Sequence, residues 1–206
     1  MQIIYDWSGT LFDDTEAVFG RAMEVFRIFD TAPISLDEFR DSLCVPYIEF
    51  YRRYLGNVSQ EDIDTAFQST RPVSVPKLFS GAMNLLRFSA RIAKKVTIVS
   101  MAPRAELEPL LTATGIEWHA DVRDKEATIR EILKSAAGSE PVLSIGDMVS
   151  DIEVARANGL SSIAVGWGHQ SPARLKESKP NYFVQDFVEL SRVLHAQTED
   201  IFDRTK

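Results

Sequence analysis

Short runs of β-branched and apolar residues recur along this chain, separated by segments with helical periodicity. Four clear runs lie at 3–5, 96–99, 142–145 and 162–165, and two weaker ones at 182–184 and 118–120. One helical segment has Ile129, Ile132, Leu133 and Ala136 on one face, followed by Gly138 as a stop. Runs that are apolar throughout are typical of strands covered on both faces. This alternation predicts an α/β fold with a doubly wound parallel sheet, Rossmann-like in architecture.

One long segment interrupts the alternation. Residues 14–80 show helical periodicity and no convincing strand, with one apolar stripe through Phe19 and Phe26 and another through Tyr47 and Tyr54. The segment closes with the sequence RPVSVP at 71–76, where each proline disfavours helix at the residue before it. We therefore expect a core domain made of residues 1–13 and 81–206, with an inserted α-helical cap at 14–80.

Composition excludes several classes of partner. The 206 residues carry 23 Lys and Arg against 30 Asp and Glu, a formal charge of −7, so the chain lacks the basic footprint of nucleic-acid or membrane-surface binding. Cys44 is the sole cysteine, which excludes an intramolecular disulfide and a cysteine-based zinc site. The N-terminal residues lack a signal-peptide pattern, and no run approaches the roughly 20 apolar residues of a membrane span. We expect a cytoplasmic monomer or homodimer acting on a small molecule.

Polar residues stand where the predicted strands end. Asp6 follows the first run, with Gly9 and Thr10 just beyond it, and Ser100 follows the second. Asp147 and Asp151 follow the third, and Lys125 opens a helix between them and Ser100. Ligands of open parallel sheets bind at the carboxyl ends of the strands, so these residues are expected at one edge. Converging carboxylates need a cation or else raise one another's pKa, and oxygen ligands without a His or Cys cluster indicate Mg²⁺ rather than Zn²⁺.

These segments together carry a family resemblance. Residues 6–13 read DWSGTLFD, Ser100 and Lys125 follow in order, and residues 146–151 read GDMVSD. In this arrangement the chain resembles the haloacid dehalogenase-like superfamily, in particular the branch of phosphoglycolate phosphatases and β-phosphoglucomutases, which carry a helical cap after the first strand. Residues 76–86 resemble the return from that cap, and residues 166–168 the family's closing segment.

The resemblance assigns a role to each motif. It implies that Asp6 is the nucleophile, which forms an aspartyl-phosphate in a Mg²⁺-dependent phosphohydrolase of a small phosphorylated metabolite. Mg²⁺ would be held by Asp6, the backbone carbonyl of Ser8, Asp147 and Asp151, and would neutralise phosphate charge. Lys125 would balance the charge of Asp6 and the phosphate.

Further residues are candidates for substrate binding. Ser100 is expected to hydrogen-bond a phosphate oxygen, and the backbone N–H near Met101 is expected to complete the phosphate-binding site. Thr10 would offer a hydroxyl close to Asp6. Tyr47 lies where relatives present a specificity loop, and Arg52 is a cap cation that would meet a second anionic group. The alternative for both cap residues is structural, with Tyr47 packed in the cap and Arg52 solvated.

One position departs from the family pattern. The residue two after the nucleophile is usually an Asp that protonates the leaving group and later activates water, and here it is Ser8. A serine hydroxyl cannot replace a carboxylic acid in that role, and acid–base help contributes about 10²–10⁴ in rate. Acyl or aryl phosphates, which have good leaving groups, would lose less than alkyl phosphates. Among the histidines, His119 is the candidate substitute acid, whereas His169 and His195 are expected to be structural.

Three alternatives follow from Ser8. The chain would be a catalytically impaired phosphate- or partner-binding protein, a phosphonatase-type variant, or a dehalogenase-type variant. The first lysine of the chain is Lys77, after the cap body, which argues against a phosphonatase that needs a cap lysine. Asp147 argues against a dehalogenase, because that branch uses no metal and lacks the Gly-Asp of the fourth motif.

Overall fold

A computed structural model describes residues 1–135 and 140–204 of the chain. The predicted helix stop at Gly138, together with Ala136, lies outside the described residues. The elements in chain order are β1 (Gln2–Tyr5), β2 (Phe12–Asp13), α1 (Thr15–Ile28), α2 (Leu36–Ser42), α3 (Tyr47–Leu55), α4 (Gln60–Ser69), β3 (Lys77–Leu78), α5 (Ala82–Ile92), β4 (Lys95–Val99), α6 (Arg104–Leu111), a 3₁₀ turn (Thr112–Thr114), β5 (Glu117–His119), α7 (Lys125–Ser135), β6 (Val142–Gly146), α8 (Val149–Ala157), β7 (Ser161–Val165), α9 (Pro172–Glu177), β8 (Tyr182–Val184) and α10 (Phe187–Arg204).

Six strands form one parallel sheet in the order β5-β4-β1-β6-β7-β8. All six apolar runs, including the two weaker ones, are strands of this sheet, and the predicted α/β class is confirmed. From β1 the chain continues on one side through β4 and β5 and then on the other through β6, β7 and β8. The order therefore reverses between β1 and β6, which is where open α/β sheets bind their ligands.

Both faces of the sheet are covered by apolar clusters. Ile3 of β1 and Ile98 of β4 belong to the main cluster on one face, whereas their neighbours Ile4 and Val99 belong to a smaller cluster on the other. Successive side chains of a strand point to opposite faces, so the continuous apolar runs follow directly from this double covering.

Helices α1–α4 have an apolar cluster of their own. Phe26, Phe39 and Phe50 are fully buried at its centre, and their rings pack in stacked and edge-to-face pairs. Ser35 and Ser59 cap α2 and α4 by accepting hydrogen bonds from backbone N–H groups three residues on. One buried residue of this cluster, Met148, comes from the loop after β6, so the helices pack directly against the end of the sheet.

A small antiparallel ribbon, absent from the sequence analysis, stands where the chain leaves and re-enters the sheet. Strands β2 and β3 pair Phe12 with Leu78 and Asp13 with Lys77. Each strand has two residues, too few for an alternating pattern to show in the sequence. Among the described residues, none of the helices has the length and apolar character needed to cross a bilayer.

Candidate active site

Three buried carboxylates meet at the carboxyl edge of the sheet. Asp6 follows β1, Asp147 follows β6, and Asp151 lies in the first turn of α8. One oxygen of each lies within 4.8 Å of the others, and no residue of the three is more than 8% exposed. Because β1 and β6 are hydrogen-bonded neighbours, their ends bring Asp6 and Asp147 side by side.

Lys125 joins this cluster from the first residue of α7. Its ammonium nitrogen lies 2.8 Å from Asp6 Oδ1 and 2.9 Å from Asp151 Oδ1. Burial alone would lower the pKa of Lys125, but Asp151 and Asp6 raise it above its usual range, so the side chain stays charged. Asp124 accepts a hydrogen bond from the backbone N–H of Ala127 at 2.9 Å, which fixes the start of α7 and with it the position of Lys125.

The environment of Asp6 disfavours an unneutralised charge. Burial raises the pKa of Asp6 to about 7; Lys125 opposes this rise, while Asp151 and Asp147 add to it. Oδ1 of Asp6 also accepts a 2.7 Å hydrogen bond from the backbone N–H of Trp7.

Asp147 is fully buried, and both of its oxygens accept hydrogen bonds. Thr10 Oγ1 donates to Oδ1 at 2.9 Å, and the backbone N–H of His169 donates to Oδ2 at 2.6 Å. His169 Nδ1 lies 3.1 Å from the same Oδ2. Burial would raise the pKa of Asp147, but the charge and hydrogen bonds of His169, together with Thr10, hold it below its ordinary value. A Cβ at Gly168 would lie 2.3 Å from Oδ2, so only glycine fits there.

A second buried pair, Asp14 and His169, was missed by the sequence analysis as functional. Ser8 Oγ donates a short hydrogen bond to Asp14 Oδ2, and the N–H of Gly9 donates to Oδ1 at 2.9 Å. His169 Nε2 lies 3.3 Å from Asp14 Oδ1, so the imidazole stands between Asp14 and Asp147. Burial would lower the pKa of His169, but Asp147 and Asp14 raise it to about 10. In the sequence, only the adjacency of Asp14 and His169 to the motifs at 6–13 and 166–168 could have indicated these roles.

The cluster fits a divalent cation. Four buried carboxylates, at positions 6, 14, 147 and 151, are matched by two cations, Lys125 and His169, which leaves a formal charge of −2. Carboxylate oxygens are the donors that Mg²⁺ and Ca²⁺ prefer, and the donor set of Asp6, Asp147 and Asp151 contains no sulfur or imidazole.

The remaining predicted residues divide into two groups. Ser100 is fully buried at the end of β4, next to β1, where its Oγ accepts a hydrogen bond from Ala102 N at 2.9 Å. Met101 follows it and is 38% exposed. Tyr47, the first residue of α3, is 40% exposed; desolvation raises the pKa of its phenol to about 12, while Lys125 opposes this rise and Asp6 adds to it.

Two residues are not brought to the cluster. The exposed Arg52 donates to the carbonyl of Val58 and to Glu49 within the cap helices. His119 lies on β5, two strands from β1, with its Nε2 3.0 Å from Glu117 Oε1.

Comparison by sequence identifies a family for the C-terminal half of this site. A sequence model described as HAD-hydrolase-like matches residues 125–190, a stretch that includes Lys125, Asp147 and Asp151. The chain is 36% identical over 84 residues to a protein described as a candidate pyrophosphatase, PpaX, from Caldanaerobacter subterraneus subsp. tengcongensis. It is 36% identical over 83 residues to a 5'-nucleotidase from Pseudomonas aeruginosa. These alignments cover 41% and 40% of this chain, and only 37% and 38% of those relatives.

Comparison by structure covers nearly the whole chain. A predicted phosphatase from Clostridium acetobutylicum superposes with a TM-score of 0.72 at 21% identity, covering 95% of this chain and 98% of that one. At this identity the likeness establishes the fold, including the helical segment after the first strand. The sequence model thus assigns residues 125–190 to the HAD-hydrolase-like family, and the chain as a whole shares the fold of that predicted phosphatase.

Proposed function

We propose that the protein is a Mg²⁺-dependent phosphohydrolase of a small phosphorylated metabolite, phosphoglycolate phosphatase-like, acting through an aspartyl-phosphate on Asp6. The observation that carries this proposal is the meeting of Asp6, Asp147, Asp151 and Lys125 in one buried cluster at the point where strand order reverses. The names of the two sequence relatives, a pyrophosphatase and a nucleotidase, describe hydrolysis at phosphorus and support the same class.

Each residue has a task in this proposal. The two described donors to Asp6, Trp7 N and Lys125 Nζ, both reach Oδ1, so we assign Oδ2 to the attack on phosphorus. Ser100 supplies a buried hydroxyl to a phosphate oxygen, and Lys125 holds Asp6 in place while balancing its charge. Asp6, Asp147, Asp151 and the backbone carbonyl of Ser8 would hold Mg²⁺, which supplies charge neutralisation for the phosphoryl group when bound.

We assign the cap role to residues 14–80, with the core in residues 1–13 and 81–206. Closed over the cluster, helices α1–α4 would exclude water from Asp6 and place Tyr47 beside the substrate. The contact between Arg52 and a substrate stays a prediction. It would require α3 to turn a different face towards the carboxylate cluster. We also expect a cytoplasmic location for such an enzyme.

The test is phosphate release from p-nitrophenyl phosphate with and without Mg²⁺. We expect turnover by the wild type, none with EDTA, and none by Asp6→Asn. Asp64→Asn, which removes an exposed carboxylate from α4, is the matched control and should keep wild-type turnover. Mg²⁺ should also raise the unfolding temperature, because a ligand at 100 times its Kd adds about 2.7 kcal/mol to stability.

A second candidate function is a non-catalytic phosphate-binding protein, which the serine at position 8 favours. In that case Mg²⁺ and phosphate would still stabilise the fold, but phosphate release would not exceed the Asp6→Asn background. Turnover that survives Asp6→Asn would contradict the assignment of the nucleophile.

A further inference from the structure

The Ser8 hydroxyl has its proton engaged away from a substrate. Ser8 Oγ donates to Asp14 Oδ2, and a serine hydroxyl has only one proton. While this bond is kept, Ser8 presents lone pairs to a leaving group and has no proton to give it.

Asp14, the acceptor of that bond, is surrounded by donors. Gly9 N–H reaches Oδ1 at 2.9 Å, and His169 Nε2 stands 3.3 Å from the same oxygen. Each oxygen of Asp14 thus accepts one hydrogen bond, Oδ2 from the Ser8 hydroxyl and Oδ1 from the Gly9 N–H. Asp14, which is itself buried, therefore keeps the Ser8 proton directed towards its own carboxylate.

The cation that contacts Asp6 and the candidate substitute acid are engaged as well. Lys125 is fixed by two carboxylates at 2.8 and 2.9 Å. The candidate substitute acid His119 pairs with Glu117 on a strand two positions away. Desolvation raises the pKa of the Tyr47 phenol to about 12, so this phenol is too weak an acid to take the place of a carboxylic acid.

We infer that the substrates of this site are phosphoric anhydrides, meaning acyl phosphates or pyrophosphate-type compounds, whose leaving group departs as an anion without being protonated. This inference rests on the proposed function and narrows its substrate class. Alkyl phosphates, whose alkoxide leaving group needs a proton, are poor substrates for the same reason.

The chemical steps balance without a protein acid. Asp6 Oδ2 forms a bond to phosphorus while the bond from phosphorus to the leaving oxygen breaks, and the leaving group takes that electron pair as a carboxylate or phosphate anion. Water then attacks the same phosphorus, the bond to Asp6 breaks, and the Asp6 carboxylate is restored. Both protons of the water stay with the inorganic phosphate, which releases one to solvent.

The experiment measures how kcat/KM depends on the leaving group, in saturating Mg²⁺. Acetyl phosphate, pyrophosphate, a series of aryl phosphates and the alkyl ester phosphoglycolate are compared on the wild type, Ser8→Asp and Ser8→Asn. We expect a steep fall with leaving-group basicity in the wild type, with the alkyl ester about 10²–10⁴ below acetyl phosphate. Ser8→Asp should flatten this dependence by raising alkyl turnover selectively. Ser8→Asn introduces a side chain of the same size as Asp but without an acidic group, so the dependence on leaving-group basicity should stay steep.

Two results overturn the inference, and they are distinguishable. If the wild type hydrolyses the alkyl ester as well as acetyl phosphate, an acid is present and the substrate class is wrong while the phosphatase assignment stands. A steep dependence that then appears in Asp14→Asn would identify Asp14, acting through Ser8, as that acid. If no compound is turned over, the proposed function fails and the substrate class with it. The wild-type series decides between these results even if the Ser8 variants fail to fold.

Discussion

Both oxygens of the Asp147 carboxylate are held by groups distant in sequence. Thr10, 137 residues away, donates to Oδ1, and His169 donates to Oδ2. Gly9 and Gly168 allow the backbone to come close, because a Cβ at either would lie within 2.4 Å of an Asp147 side-chain oxygen. Residues without catalytic chemistry thus set the direction in which this carboxylate faces.

Replacement of Thr10 by valine tests that interpretation. Thr10→Val keeps the shape but removes a hydrogen bond to a buried charge, so we expect a loss of about 2 kcal/mol in the free energy of unfolding and weaker Mg²⁺ binding. Thr15 is the matched control: its buried hydroxyl has no hydrogen-bond partner in the described part of the chain. Thr15→Val should leave stability unchanged or raise it by up to about 1 kcal/mol. Equal losses in the two variants, measured by urea unfolding, would contradict this.

The burial of Glu106 makes the free energy of unfolding depend on pH. Its Oε1 accepts a 2.9 Å hydrogen bond from the Trp7 indole, yet burial raises the pKa of Glu106 above its ordinary value. The folded state therefore holds this proton more tightly than the unfolded state, so the contribution to stability is present below the unfolded pKa and lost as pH rises through the folded pKa. Glu106→Gln cannot ionise but still accepts from the indole.

We expect the stability of Glu106→Gln relative to the wild type to increase between a pH of about 4 and about 7. Urea unfolding at the two pH values measures this. Glu108→Gln, an exposed position on the same helix, controls for the loss of one negative charge. A difference between Glu106→Gln and the wild type that does not change with pH would show that the burial of this carboxyl has no energetic consequence.

Among the secondary-structure elements, helix α1 packs closely against residues 71–76 at Gly20. A Cβ at Gly20 would lie 2.3 Å from Cγ2 of Val73, so the glycine makes room for the valine even though Val73 is largely exposed. Glycine inside a helix costs roughly 0.5–1 kcal/mol relative to alanine, and here that cost permits the contact between α1 and the segment that returns to the core.

This pairing predicts a non-additive pair of variants. In the Val73→Ala background, Gly20→Ala should stabilise the protein by about 0.5–1 kcal/mol, because the clash is gone and the helix propensity is gained. In the wild-type background that gain should be lost or reversed. Thermal unfolding of the two single variants and the double variant completes the cycle. A gain of the same size in both backgrounds would show that Val73 does not rest on Gly20.

At the level of the whole molecule, one short segment connects the helical insertion to the carboxylate cluster. Arg40 donates twice to the Gly168 carbonyl, at 3.1 and 2.6 Å, and Ser171 N–H donates to the Arg40 carbonyl. Gln170, only 1% exposed, accepts from Val149 N and donates to the Leu43 carbonyl, both at 2.6 Å. Residues 168–171 thus contact α2 and its end on one side and the Asp147 carboxylate on the other.

Gln170→Met should weaken this connection measurably. The partly buried N–H of Val149 loses its partner, whereas the Leu43 carbonyl keeps a 2.7 Å hydrogen bond from Arg174, so we expect a cost of about 1–2 kcal/mol. Amide exchange should rise both at the start of α8 and at residues 40–43. Gln60→Met, at an exposed position of α4, is the control. If Gln170→Met unfolds at the same urea concentration as the wild type, the segment does not hold the two parts together.

The six strands and the positions of the residues that follow them could be predicted from the sequence alone. The apolar runs predicted all six strands because a strand buried on both faces admits few polar residues. Asp6, Ser100 and Asp147 each follow a strand directly. Because parallel strands end at a common edge, the sheet topology alone places a polar residue in that position at the carboxyl edge. Lys125 was predicted at the start of a helix and Asp151 just after the third run, and they lie in the first turns of α7 and α8.

The contacts that these side chains make could not be predicted, because they depend on the tertiary packing. Thr10, expected near a phosphate, bonds to Asp147; Arg52, expected near a substrate, bonds within the cap helices; and Asp14 and His169 join the site. A sequence pattern predicts which helix, strand or loop carries a side chain. The hydrogen-bond partner of that side chain depends on how loops separated by more than a hundred residues pack together. Ser8 illustrates this difference. The sequence shows that position 8 lacks the usual carboxylic acid, but only the packing of Asp14 against Ser8 shows which group holds the hydroxyl proton.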